Sequence, residues 1–157
     1  MKNAIDQLYT LFSTDLSAKF TTFYKGEVAI VPQSYLPALM VFGNQTTVVA
    51  KSTAKDQYVY DITARAVIDL KLYLKESGTN DIISAQMAMY NFMEERNADG
   101  SLKSDTVLGV LRGNIRTDDF IFNNDVTITY SVIQTGEFFY YKADCNFTAT
   151  TDLLLRP

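Results

Sequence analysis

Asp118, Asp119 and Asp125 lie close together in the chain, and carboxylate oxygens are what calcium takes as ligands. Their spacing is not that of an EF-hand loop, and no glycine stands where such a loop must turn. They read as a solvated acidic loop. Glu94 and Glu95 could suggest the paired acids of glycosidic cleavage. Consecutive helix residues point in different directions, so the two read as helix-surface charge. Cys145, the one cysteine, would need a base to activate it, and the chain has no histidine. On the apolar face of a strand it reads as a core thiol. The missing histidines also remove a principal zinc ligand, and a lone cysteine excludes an internal disulfide. Gly26-Glu27 and Gly113-Asn114 are isolated, so no glycine-rich phosphate loop precedes a helix. The chain is expected to carry no cofactor, no metal and no catalytic site.

With 157 residues, 47% hydrophobic and 20% charged, the chain is long enough for one domain with a real core. Net charge is −4 and the sequence pI is about 4.7, with no cluster of lysine and arginine. A nucleic-acid-binding surface is not expected, because acidic groups repel phosphate. Asp6 stands where a signal peptide would have its apolar core, so no secretory signal is expected. The sequons at Asn44 and Asn146 are then chance matches. The run Leu36 to Phe42 is interrupted by Pro37 and is too short to span a bilayer.

The elements that must position any site follow from hydrophobic period. Ile5, Leu8, Tyr9, Phe12 and Leu16 predict a helix over 3–18. Val28 to Val31 is a short strand candidate, and Pro32 and Pro37 bracket a loop. Ala38 to Phe42 is a second apolar run, stopped by a turn at Gly43-Asn44. Thr46 to Ala50 is β-branched and predicts a strand. It would pair with Tyr58 to Leu70 through a polar loop, Lys51 to Gln57. Tyr58, Tyr60, Ile62, Ala64, Ala66, Ile68 and Leu70 fall on one face of that strand. Val59, Asp61, Thr63, Arg65, Val67 and Asp69 fall on the other, which argues a sheet buried on one side. Gly78 to Asp81 is a turn able to cap a helix over 82–97, whose apolar stripe is Ile83, Met87, Tyr90 and Met93, widened by Ile82, Met89 and Phe92. The Asp99-Gly100 turn, which favours positive φ, ends it. Thr106 to Leu111 predicts a short strand.

The C-terminal third reads as a hairpin. A turn at Thr135-Gly136 sets Val132 against Phe139, Tyr130 against Tyr141, Ile128 against Ala143 and Val126 against Cys145. Thr127, Thr129 and Ser131 then share the polar face. Thr135-Gly136 is not a favoured turn pair, so a shifted register stays open. Two readings are open for the tail Asp152 to Pro157: a mobile end, or a segment docking on a neighbour through Leu153, Leu154 and Leu155.

Together these predict a single α+β domain over 1–157, a mostly antiparallel sheet with helices packed on one face. The helix stripes need the apolar side of Tyr58 to Leu70, which leaves the polar side for solvent or assembly. On an open face, Arg65→Glu would cost the monomer no more than about 1 kcal/mol.

Several stretches carry a resemblance: Leu36 to Val41, Asp61 to Asp69, Met93 to Gly100, and Thr106 to Arg112. Together with the order of elements they resemble the tail terminator and tail-completion family of long-tailed phages, over roughly residues 1–150. The resemblance implies a structural virion protein at the head-proximal end of the tail, assembled in the host cytoplasm. It implies a ring, usually a hexamer, that caps the tail tube, stops its polymerisation and offers a face to the head connector protein. It implies helices outside and the sheet toward a channel through which DNA passes without specific binding. Six copies at −4 each give −24, an acidic lumen. No membrane is involved. Asp61, Thr63, Arg65, Asp69, Thr127, Thr129 and Arg112 are the candidates for the channel or a subunit interface. Two other readings compete: a different head–tail connector, such as a head-closure or neck protein, and a small-ligand α+β enzyme.

Overall fold

Strict alternation over β3, Lys55–Asp69, builds the centre of the sheet. The computed structural model describes residues 1–70, 81–123 and 125–154. On one side β3 pairs antiparallel with β2, Ala38–Ser52, and on the other with β6, Phe138–Leu154. A short β1, Thr22–Lys25, runs parallel to β2. Both β4, Ile121–Phe122, and β5, Thr127–Thr135, pair antiparallel with β6. The described residues thus form a six-stranded, mostly antiparallel sheet. Among the described residues three α-helices cover one face: α1, Lys2–Asp15, α2, Asp81–Met93, and α3, Val107–Gly113. The protein is α+β, as its periods predict.

The main core lies between that face and the helices. Leu8, Phe12 and Leu16 from the α1 end, Met89 and Met93 from α2, and Val107, Val110 and Leu111 from α3 meet Tyr60, Ile62, Ala64 and Ile68. Cys145 sits in the same core, and burial, with Glu94 nearby, pushes its thiol up to about 12. It carries no thiolate at neutral pH.

Four local expectations change. Thr106 to Leu111 is not a strand. Thr106 caps α3: its hydroxyl accepts the Gly109 N–H at 3.0 Å and donates to the Lys103 carbonyl at 2.8 Å. A short, wholly buried apolar run has no exposed side to reveal its period, so the cap decides. Thr106→Val should cost about 1–2 kcal/mol in urea unfolding, because it removes both bonds at a buried site. Second, Gly43-Asn44 is no turn. The register slips between Gly43 and Gln45, so Asn44 is the extra residue of a β-bulge and β2 runs straight on. The chain reverses two residues after Lys51, with Ser52 paired to Lys55. The Met1 side chain packs over Gly43, and a Cβ there would lie 2.2 Å from its sulfur, so a larger residue would push that flexible side chain aside.

Third, α2 buries Ala85, Met89 and Met93, while Ile83 and Met87 are 58% and 54% exposed. The helix is apolar on both sides, so period alone does not choose its face. It also stops at Met93, earlier than predicted. Fourth, the β5–β6 register is shifted by two residues. Val132 faces Tyr141, Tyr130 faces Ala143 and Ile128 faces Cys145, with Thr135 opposite Phe138. Gly136 takes φ 62° as the first residue of a two-residue loop, the place a type II′ turn gives to glycine. A shift of two preserves every face.

The Asp99-Gly100 turn forms as expected, with Gly100 at φ 84°. β6 continues through Asp152 to Leu154, paired with Lys55 to Gln57. The capping turn at residues 78–80 and the end of the tail lie outside the described residues. Among the described residues no helix is long and apolar enough to cross a membrane.

Candidate functional site

The side of the sheet away from the helices carries most of the residues singled out above. Pairing arranges them in cross-strand rows. Thr63, Asn146 and Thr127 form one row, and Arg65, Asp144 and Thr129 the next. Asp61 lies above them, between Gln45 and Thr148, and is half-buried. Asp69 lies below, opposite Tyr140.

Arg65 is the hub. Its Nε donates to Asp144 Oδ1 at 2.6 Å and its Nη2 to Asp144 Oδ2 at 3.3 Å, a bidentate grip. Its Nη1 donates to Glu27 Oε1, and its guanidinium lies 5.0 Å from the centre of the Phe42 ring. Lys142 Nζ donates to Asp144 Oδ2 at 2.9 Å. In the row above, Asn44 Nδ2 donates to Thr63 Oγ1, which donates to Asn146 Oδ1. Burial works against ionisation of Asp144, but the hydrogen bonds from Arg65 and Lys142 outweigh it and hold its carboxyl below the usual range. The same balance raises Arg65 further.

This face is therefore not open throughout. Residues 26–37 fold over it, where a strand at Val28 to Val31 was expected. Val31 and Leu36 pack with Ala38, Met40, Phe42, Val67 and Tyr140 in a second, smaller core. Thr63 and Asp69 are buried at 3% and 6% exposure, so neither presents a side chain to a channel. Arg65 is mostly covered and tied within its own chain. Asp61, Thr127 and Thr129 keep surface on this side. Arg112 is not among them: it is exposed on α3, which packs on the opposite face.

The partnership of Asp144 with Arg65 needed the β3–β6 pairing across 79 residues. Glu27 arrives from a loop with no periodic signal. Asn44 is brought to Thr63 by the bulge.

A groove of 140 Å³ under the covering loop is lined by Glu27, Val28, Met40, Arg65, Val67 and Tyr140 among others. That is below the roughly 300 Å³ at which small-molecule sites begin. The carboxylates considered for chemistry are separated. Glu94 accepts from the Tyr130 hydroxyl at 2.7 Å, whereas Glu95 pairs with Lys103 and Lys19. Asp119 accepts from Gln7, and Asp118 and Asp125 are exposed. Among the described residues no three acids, cysteines or histidines stand together as a metal site.

The Asp144 balance predicts acid sensitivity. A carboxyl depressed in the folded state contributes stability above its unfolded value, near 3.8, and loses it as pH falls through the folded value. The melting temperature should therefore fall as pH drops below about 5. Asp144→Asn should lower it at pH 7 and flatten that acid limb; an acid limb of unchanged slope would assign it to other groups.

Compared with protein-family models and with curated proteins, the chain matches none.

Proposed function

We propose that this chain is a structural virion protein, a tail terminator that caps the tail tube as a ring, halts its growth and provides the surface to which the head is joined. What carries the reading is the two-sidedness of the sheet. The three described α-helices lie on one face, and the other face ends in small polar side chains at Thr127 and Thr129 with Asp61 above them. Such a protomer can turn its helices outward and a polar, non-sticking wall inward. The element order supports the same reading: a helix, strands around a proline-rich loop, a long hairpin, a helix and a second long hairpin. The resemblance is weaker at Thr106 to Leu111, where this chain has a helix.

The mechanism is interface geometry. One side of the ring matches the tube protein, and the other no longer offers a tube-like end. Heterologous contacts that close by rotation give rings. The net charge of −4 per copy favours passage of DNA without binding. A neighbouring connector role, head closure or neck, is the second reading, because the same two-sidedness serves it. Electron microscopy of particles assembled without the protein separates the two. Overlong tubes are expected of a terminator. Tails of normal length beside unjoined heads would make it a connector, and normal virions would remove both.

A further inference from the structure

The sheet has two long open edges. β1 covers β2 only from Ala38 to Val41, and among the described residues no strand lies outside 45–52. Among the described residues β5 pairs with β6 alone. Natural sheets usually blunt such edges with charge, proline, a bulge or short length. The other edges here obey that rule: β4 has two residues, and β1 has four and ends at Lys25-Gly26. The two long edges are blunted less: β2 is irregular at Asn44 and Lys51, but the stretch between them is regular. Thr127 to Thr135 and Gln45 to Ala50 contain no charge, proline or glycine. Val48, Val49 and Val132 are 51%, 39% and 44% exposed on them.

We propose that these edges meet between copies of the chain, β5 of one copy accepting residues 45–52 of the next as an antiparallel neighbour. The inference rests on the ring reading and names the contact that would close the ring. Strand sense permits it. β2 and β6 both run against β3, and β5 runs against β6, so β5 and β2 point in opposite directions. Closing the sheet around a ring axis to which the strands are tilted keeps those directions locally, so the two edges meet antiparallel with helices on one side. Side-chain parity then restricts the register. Ile128, Tyr130 and Val132 share the helix-covered face with Thr46, Val48 and Ala50. Tyr130 opposite Val48 of the next copy satisfies this, and it puts Thr129 against Val49. β-Branched and aromatic partners are favourable across strands. Pairing of β5 with itself about Ser131 would instead set Asp125 against Glu137, two like charges. The two edges sit at different heights: Tyr130 is level with Leu39 of its own β2, not with Val48. Successive copies are therefore staggered, and the strands tilt around the ring as in a closed sheet.

Cysteine trapping tests the pairing, since the native Cys145 is buried. Thr129 and Val49 stand on opposite edges of one copy, so they can be linked only between copies. The double variant Thr129→Cys/Val49→Cys, oxidised at high protein concentration, is expected to give a ladder of linked copies on non-reducing gels. Each single variant is expected to stay monomeric. Dimers from Thr129→Cys alone would mean that β5 pairs with itself, and no links in the double variant would equally overturn the proposal. Val49→Lys serves if the cysteine variants fold poorly: it should cut self-association at least tenfold in sedimentation, and unchanged association would overturn the edge pairing. Failure of these tests leaves the tail-length phenotype, and with it the ring reading, to be decided separately.

Discussion

Gly109→Ala is expected to destabilise the protein by about 3 kcal/mol or more, although alanine is the better helix former by about 1 kcal/mol. Gly109 lies in the first turn of α3. A Cβ there would stand 1.9 Å from the Lys103 carbonyl oxygen and 2.8 Å from Thr106 Oγ1. Neither neighbour can retreat cheaply. The Lys103 carbonyl accepts the Thr106 hydroxyl, and that hydroxyl accepts the Gly109 N–H. Around them Val107, Val110 and Leu111 are packed into the main core. Relief of the clash would therefore lift the cap and the buried turn together. Urea unfolding with circular dichroism measures it. A loss below about 1 kcal/mol would mean that the segment from Lys103 to Gly109 can shift, and that α3 is held less firmly than its burial implies.

Arg65→Glu is expected to cost about 2–4 kcal/mol, somewhat less than breaking a fully buried ion pair from one side, because both partners are only partly buried. Arg65 and Asp144 expose only 18% and 16% of their side chains. The substitution would place a carboxylate against Asp144 and Glu27 and would strip Phe42 of its cation. An open face would have predicted about 1 kcal/mol or less. Arg65→Met should lose less, because its stem can still cover Phe42 and Lys142 still pairs with Asp144. The exchange Arg65→Glu with Asp144→Arg should recover part of the loss. A single Arg65→Glu variant with wild-type stability would return Arg65 to the role of a free surface group.

What the sequence determined by itself is whatever follows from period along one segment. The alternation from Tyr58 to Leu70 assigned both faces of β3 correctly, and the helical spacing in α1 marked Leu8, Phe12 and Leu16 as its buried side. The faces of the last hairpin survived a register shift of two residues because strand period is two. Gly100 took the positive φ its turn required. These are local consequences of backbone geometry, so a few neighbouring residues suffice to state them.

Only the tertiary structure decided what depends on who lies next to whom. The helix α2, apolar on both sides, buried Met89 and Met93 of its predicted stripe together with Ala85, and left Ile83, Met87 and Tyr90 exposed. The run Thr106 to Leu111 became a helix because a buried cap at Thr106 outweighed its strand-like composition. Gly43-Asn44 became a bulge because an unbroken β3 lay opposite. The polar face, legible as polar, was half closed by residues 26–37 and locked by Arg65 and Asp144, which are 79 residues apart. Period records which side of an element is apolar. It does not record which element arrives to cover that side: Glu27, Val31 and Leu36 reach this face from a loop, and Asn44 reaches Thr63 through a bulge.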